Sequence, residues 1–193
     1  MGKRFYGINV AGCKRKLHVI NLNDEIAIAG FIILGDIELT EKTAAALAAK
    51  APADTEVIMT AETKGIPLAE SMARHMGLPY YVVARKSIKA YMENPLVVED
   101  HSITTAGKQI LCLMDDDIER IRGHKVLLVD DVISSGGSIS ALENLALQAG
   151  GQVIGRFAIL AEGDAAKRHD ITYLEEIWSG LLLRKWREGV RVG

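Results

Sequence analysis

The chain has 193 residues, of which 49% are hydrophobic and 25% charged, and its formal net charge is −2. This length and composition predict one compact domain with room for a small appendage but not for a second full domain. The charge argues against a nucleic-acid-binding protein, because such domains carry a clustered basic surplus. No apolar stretch is of signal-peptide or transmembrane type, so we expect a cytoplasmic protein that binds no membrane.

The first 39 residues have the pattern of a small antiparallel unit. Two strand-like stretches, KLHVINL and IAIAGFIIL, are separated by the turn residues NDE at positions 23–25, which predicts a hairpin. Thr40 is the expected N-cap of the alanine-rich helix that follows, because a Thr before an acidic first turn is a typical helix start. We therefore expect residues 1–39 to form an appendage to the main domain.

Residues 40–170 alternate between apolar strands and helices. The predicted strands are EVIMTA, PYYVVAR, KQILCLM, KVLLVDD and QVIGRFAILA, and the helices between them are GIPLAESMARHMG, DDDIERIRG and SISALENLALQAGG. This pattern predicts an α/β domain built on a parallel β-sheet flanked by helices. Residues 86–107 fit no element, and a segment of this length is typical of a lid, a binding loop or a mobile hairpin. We interpret residues 171–193 as a tail that packs on the appendage or on a partner.

Two adjacent carboxylates, Asp130 and Asp131, follow the apolar run KVLLV at the expected carboxyl edge of the sheet. Ligands of open parallel sheets bind at this edge, and paired like charges need cations or hydroxyl donors. Hydroxyls, a glycine turn and a helix start come next, at Ser134, Ser135, Gly136, Gly137 and Ser138. Together they predict a phosphate cradle, which with the two acids suits a ribose 5-phosphate. The alternative is a plain strand-to-helix turn with local capping.

The stretch VLLVDDVISSGGS resembles the phosphoribosyl pyrophosphate (PRPP) signature of the type I phosphoribosyltransferases. The resemblance implies the fold of that family, a parallel sheet with a small hood over the active site, and makes residues 1–39 the hood that binds the base. It also implies that Asp130 and Asp131 are the catalytic residues, which hydrogen-bond the ribose hydroxyls. Residues 134–138 would then hold the 5-phosphate of PRPP.

A second anion site is expected in TAETKG, which follows the strand EVIM and precedes a helix. Lys64 supplies a cation, Gly65 permits close approach, and exposed backbone amides can meet an anion. Taken alone, this stretch is an ordinary strand-to-helix turn. Beside the PRPP signature it resembles the pyrophosphate loop of the family, which implies that Glu62, Thr63, Lys64 and Gly65 bind pyrophosphate.

The segment ARKSIKAYMENPLVVEDHSIT resembles the flexible loop of purine phosphoribosyltransferases, especially the xanthine enzymes and the related purine repressor. The resemblance implies that Arg85, Lys86 and Lys89 supply positive charge against pyrophosphate. The alternative is a solvated basic strand end.

The resemblance implies transfer of the 5-phosphoribosyl group of PRPP to a purine base of adenine or xanthine type, giving a nucleoside monophosphate and pyrophosphate in purine salvage. Magnesium (Mg2+) would accompany PRPP, held indirectly by Asp130 and Asp131 through water or the ribose hydroxyls. We expect Ile133 to lie against the base. The expected partners are PRPP, a purine base and a second copy of the chain in a homodimer, with no nucleic acid.

Two other functions stay open at this stage. The first is a regulatory protein that binds PRPP or a nucleotide without turnover, although the chain lacks the basic surplus of a DNA-binding module. The second, less favoured, is a pyrimidine or orotate enzyme, which base competition would distinguish.

Overall fold

The computed structural model describes residues 4–21, 26–100, 109–177 and 181–182. The strands in chain order are β1 (Phe5–Val10), β2 (Cys13–Asn21), β3 (Ile26–Gly30), β4 (Val57–Ala61), β5 (Val82–Ala84), β6 (Leu96–Asp100), β7 (Gln109–Leu113), β8 (Lys125–Ile133), β9 (Gln152–Glu162), β10 (Thr172–Ile177) and β11 (Leu181–Leu182). The helices are α1 (Ile37–Ala48), α2 (Ile66–His75), α3 (Asp115–Ile121) and α4 (Gly137–Gln148), and Gly163–Lys167 forms a 3-10 helix.

The centre of the molecule is a five-stranded sheet in the order β10-β9-β8-β4-β5, with every neighbouring pair parallel. This confirms the predicted α/β class. Strand β8 lies in the middle, and its four apolar residues 126–129 are fully buried. Val126 and Leu128 pack in one core cluster, whereas Leu127 and Val129 pack in the other. A strand covered on both faces must be apolar at consecutive positions, which explains the run VLLV.

The two faces of the sheet are covered by different elements. One core cluster contains residues of α3, α4, β6 and β7, and the other contains residues of α1, α2 and the hood strands β1 and β2. Each fully buried Leu, Ile or Val side chain contributes roughly 1.5–3 kcal/mol. The sheet is therefore held rigidly between two cores, and its carboxyl edge can carry a site at fixed geometry.

The hood is an antiparallel sheet in the order β1-β2-β3-β11. The predicted hairpin between β2 and β3 is confirmed by their antiparallel register, although its turn at residues 23–25 lies outside the described residues. Strands β1 and β2 are joined by Ala11 and Gly12, both with positive φ (48° and 76°). Two such residues make a type I′ turn, which matches the twist of a hairpin. Strand β11 joins the hood beside β3, and β10 extends the central sheet beyond residue 170.

Helix α1 begins four residues before the predicted start. Its N-cap is Asp36, whose carboxylate accepts the backbone N–H of Leu39 at 3.1 Å, so the expectation that Thr40 caps this helix is wrong. The Thr40 hydroxyl donates instead to the Asp36 carbonyl. The same carboxylate accepts two hydrogen bonds from Arg15 of β2. The cap is therefore selected partly by a tertiary ion pair that links the hood to α1.

The stretch KQILCLM forms β7, which lies outside the parallel sheet that we expected it to join. It pairs antiparallel with β6, a strand that lies within the segment for which the sequence predicted no element. Only eight residues, 101–108, separate β6 from β7, whereas a parallel pairing needs a crossover of a dozen or more residues. Residues 86–107 thus include one arm of a two-stranded hairpin. Among the described residues, no helix is long and apolar enough to cross a membrane.

Candidate active site

Strand β8 carries Asp130 and Asp131 to the carboxyl edge of the central sheet. Asp131 is only 2% exposed, and its Oδ2 lies 2.7 Å from the Nζ of Lys64 in the loop after β4. Asp130 Oδ1 accepts the backbone N–H of Asp131 at 2.8 Å. The structure therefore brings Lys64, in the loop after β4, next to the paired acids of β8, although 67 positions separate Lys64 from Asp131.

The two carboxylates are electrostatically unequal. The pKa of Asp130 is raised to about 7, chiefly by burial and next by the negative charge of Asp131. The hydrogen bond from the Asp131 N–H and the positive charge of Lys64 lower this pKa in part. Asp131 has the ammonium group of Lys64 as a direct partner. The pair is thus destabilised when both are ionised, and a ligand that brings hydroxyl donors or a cation would relieve it.

The glycine turn after β8 leads into α4. Gly136 is the N-cap of this helix and has a left-handed backbone (φ 86°), a conformation that glycine adopts without a steric penalty. Ser134 and Ser138 line a cavity above the turn, whereas Ser135 is exposed and Gly137 is the first residue of the helix. The helix is 12 residues long, and the positive potential of its N-terminus favours a bound anion.

The guanidinium of Arg168 lies beside this turn. A Cβ at Gly136 would lie 2.5 Å from Arg168 Nη1, and Arg168 donates two hydrogen bonds to the exposed Asp170, at 2.9 and 2.7 Å. Arg168 was not predicted from the sequence. It lies 30 residues beyond the motif, and no local pattern links it to the turn.

The loop after β4 contains Glu62, Thr63, Lys64 and Gly65. The first three line the cavity, and the Glu62–Thr63 peptide bond is cis. Gly65 is buried, and a Cβ there would lie only 2.1 Å from Thr60 Oγ1. A side chain at this position would therefore force the loop away from the sheet, so glycine is required here for packing.

Glu62 links this loop to the segment after β5. Its carboxylate accepts the backbone N–H of Lys86 at 2.9 Å and lies 3.6 Å from Arg85 Nε. Lys86 lines the cavity. Lys89 does not line it and donates to Ser87 at 2.5 Å. The Glu62 carboxylate thus positions the backbone beside the anion site, and Lys64 and Lys86 supply the cations that face the cavity.

One cavity of about 550 Å³ is lined by both acids, two serines of the β8 turn, residues 62–64 and Lys86. Its apolar wall comes from residues 28–31 of the hood and from Val132 and Ile177. Ile133, which we expected to lie against a base, is 2% exposed and packs in the core with residues of α4. Its neighbour Val132 points the opposite way and lines the cavity, because successive residues of a strand face opposite sides. Glu162, at the end of β9, is a second lining residue that the sequence analysis missed.

Comparison with known proteins agrees with this geometry. The sequence profile of the phosphoribosyl transferase domain matches residues 33–180. The hypoxanthine/guanine phosphoribosyltransferase of Methanotorris igneus is 34% identical over 110 residues, or 57% of this chain and 56% of the relative. That of Ferroglobus placidus is 30% identical over 135 residues, or 69% and 67%. The match thus spans little more than half of the first relative's length.

Solved structures share the fold. The adenine phosphoribosyltransferase of Thermoanaerobacter pseudethanolicus superposes with a TM-score of 0.66 at 20% identity, covering 83% of this chain and 95% of that one. The Trypanosoma brucei enzyme, solved with AMP, pyrophosphate and ribose-5-phosphate, gives 0.61 at 15% identity, covering 89% and 76%. The relatives and the solved structures are named for different bases. On the profile match, which covers most of the central sheet and both loops, this chain belongs to the phosphoribosyltransferase family.

Proposed function

We propose that this protein transfers the 5-phosphoribosyl group of PRPP to a purine base and releases pyrophosphate. The observation that carries the proposal is the single cavity that joins the paired acids, the glycine turn and the Lys64 loop. PRPP has a phosphate, vicinal hydroxyls and a pyrophosphate at successive positions, and the three features offer a matching group for each. The purine names of the relatives support a purine as acceptor.

The 5-phosphate would bind at the start of α4, where Ser134 and Ser138 supply hydroxyls and the helix N-terminus supplies amide donors. The ribose hydroxyls would donate to Asp130 and Asp131, so both are assigned as catalytic residues. Lys64 and Lys86 would face the pyrophosphate. Lys64 Nζ is 2.7 Å from Asp131, and its three N–H donors allow it to contact that carboxylate and pyrophosphate together.

The reaction builds positive charge on the anomeric carbon as pyrophosphate departs. The two carboxylates lie close to where the ribose would bind, so they stabilise that charge without forming a covalent bond. The two loops lie at one edge of the sheet and would hold both ends of PRPP rigidly. The sugar is thereby kept in line with the incoming base. The hood wall and Val132 would pack on the base.

The acids also fit a magnesium ion bound through PRPP. No group of three His, Cys, Asp or Glu side chains within the described part of the chain is arranged to hold a metal. Two carboxylates that repel each other nevertheless favour a cation nearby. Mg2+ bound to the pyrophosphate would neutralise the leaving group, with Asp130 and Asp131 acting through water or the ribose hydroxyls. A homodimer, a cytoplasmic location and the absence of nucleic-acid or membrane partners remain predictions.

Pyrophosphate release from PRPP and Mg2+, measured with adenine, hypoxanthine, guanine, xanthine, uracil and orotate, tests the proposal. We expect release with at least one purine and none with uracil or orotate. Thermal stabilisation by PRPP without release from any base would instead indicate a PRPP-binding regulatory protein. Release with a pyrimidine alone would contradict the purine assignment.

A further inference from the structure

Glu162 is a carboxylate in the cavity for which the proposed transfer provides no role. It is the last residue of β9 and is half-buried. The groups of PRPP already have partners on β8 and in the two loops. A further acid would repel phosphate or pyrophosphate, so Glu162 is suited to the remaining reactant, the base.

The position of Glu162 in the sheet agrees with this assignment. It pairs in register with Ile177 of β10, and its side chain lies on the same face as that of Leu160, two residues earlier. Leu160 and Ile177 pack in one core cluster with Phe31 of the hood. Phe31 and Ile177 also line the cavity. Glu162 therefore lies beside apolar residues of the cavity wall, against which a planar base would pack.

The Glu162 carboxylate accepts no hydrogen bond and forms no ion pair within the described residues. Burial raises its pKa, and Lys64 acts in the opposite direction. An acceptor-only group in an apolar wall is costly unless a donor reaches it. Since the described residues supply no donor, a base that displaces water from this part of the cavity must supply one.

We propose that Glu162 selects the base by accepting hydrogen bonds from a purine that has two adjacent N–H donors, the ring N1–H and a 2-amino group, as guanine has. This inference rests on the proposed function and replaces the adenine or xanthine acceptor that the sequence resemblance implied. Two carboxylate oxygens match two parallel donors in a bidentate arrangement. Hypoxanthine offers N1–H alone. In xanthine, the N1–H lies between two carbonyl oxygens, and in adenine N1 carries a lone pair instead of a hydrogen. Both bases would therefore place hydrogen-bond acceptors next to the carboxylate, which repels them.

The proposal predicts a specific order of bases and its loss in one variant. Wild-type kcat/KM should be highest with guanine, lower with hypoxanthine, and lowest with xanthine and adenine. In Glu162→Gln, kcat/KM with guanine should fall about 10- to 100-fold, because this is the effect of losing a hydrogen bond to a charged group. The KM for PRPP should change less than about threefold. Glu176→Gln, an exposed carboxylate on β10 outside this cavity, is the matched control and should leave base selectivity unchanged.

Three outcomes separate the possible failures. If wild type releases pyrophosphate with no base, the proposed function fails and this inference fails with it. If wild type prefers adenine or xanthine, or if Glu162→Gln slows every base equally, only the inference fails. Loss of folding is not expected in the variant, because it removes a half-buried unpaired charge, and its unfolding midpoint should equal or exceed that of wild type. A lower midpoint would show that Glu162 has a structural role and would also overturn the inference.

Discussion

The loops that follow β4 and β8 hold opposite ends of the same cavity but are built differently. The β8 loop turns through a left-handed glycine, Gly136, and its nearest side-chain neighbour is the flexible end of Arg168. The β4 loop packs Gly65 against the buried hydroxyl of Thr60 and beside Asp130. The first loop should tolerate small displacements of its neighbours, whereas the second should not. A site assembled from two loops can therefore be rigid at one end and adaptable at the other.

The largest effect is expected from Gly65→Ala. The new methyl group would lie 2.1 Å from Thr60 Oγ1, and Thr60 is fully buried in strand β4. We expect kcat/KM for PRPP to fall at least about 100-fold, because misplacement of a binding group by about 1 Å has this cost. Steady-state pyrophosphate release measures it.

A second substitution distinguishes steric displacement from other causes. The double variant Thr60→Ala with Gly65→Ala removes the clashing hydroxyl and should recover at least about tenfold of the loss, because contacts in one cluster are not additive. A double variant no more active than Gly65→Ala would show that the close packing at Thr60 is not the reason for the glycine.

A smaller effect is expected from Lys64→Ala. The ammonium group faces the cavity and is 46% exposed, with Asp131 as its partner. We expect affinity for pyrophosphate to fall about 10- to 100-fold and affinity for a nucleoside monophosphate to change less than about threefold, because a lost charge-assisted contact costs roughly 1.5–3 kcal/mol. Calorimetric titration checks both ligands, with the exposed Lys50→Ala as control. Equal losses for both ligands would argue against a pyrophosphate site here.

Asp130→Asn tests the electrostatic cost of the paired acids. The pKa of Asp130 is raised to about 7, above the unfolded value near 4, so the folded state holds this proton more tightly than the unfolded state. Stability from this group is thus greatest below about pH 4 and decreases as the pH rises to about 7. We expect Asp130→Asn to raise the free energy of unfolding of the ligand-free protein by roughly 1–2 kcal/mol at pH 8 and to change it little at pH 4. Urea unfolding at both pH values measures this, and an equal change at both would refute the pKa assignment.

The smallest effect is expected at the adaptable loop. Gly136→Ala introduces a left-handed alanine, which costs about 1–2 kcal/mol in stability, but Arg168 can move to accommodate the methyl group. PRPP affinity should therefore fall less than about tenfold. Gly150→Ala is a matched control, because Gly150 has the same φ of 86° and does not line the cavity. It should lose similar stability without loss of affinity. If Gly136→Ala were as damaging to turnover as Gly65→Ala, the contrast between the two loops would be wrong.

The central sheet and the β8 loop were predictable because their signals are local. Residues 125–138 contain the strand, the paired acids, the glycine turn and the start of the helix in one continuous stretch. The conformation of each of these parts depends mainly on residues that are close in sequence. The β4 loop has a weaker signal, because an ordinary turn between strand and helix could have the same letters. Its proximity to Asp131 follows from the pairing of β4 with β8, which no local pattern specifies.

The features that the sequence analysis missed depend on distant contacts. Glu162 and Arg168 reach the site only through the register of β9 and the path of the chain after it. The start of α1 was misplaced because DIELT offers two capping residues within five positions, and the pairing of Asp36 with Arg15 favours the first. Ile133 and Val132 are both apolar, so composition alone could not indicate which of them faces the cavity.

The most direct test of the account is calorimetric binding of PRPP with Mg2+ to wild type and to Asp131→Asn. Asp131 is buried at the centre of the cavity and touches the loop that would hold pyrophosphate, so its charge should matter to every part of PRPP. We predict one binding site per chain in wild type and an affinity at least about 100-fold weaker in a variant that remains folded by circular dichroism. Equal affinity in the two proteins would contradict the assignment of this cavity as the PRPP site.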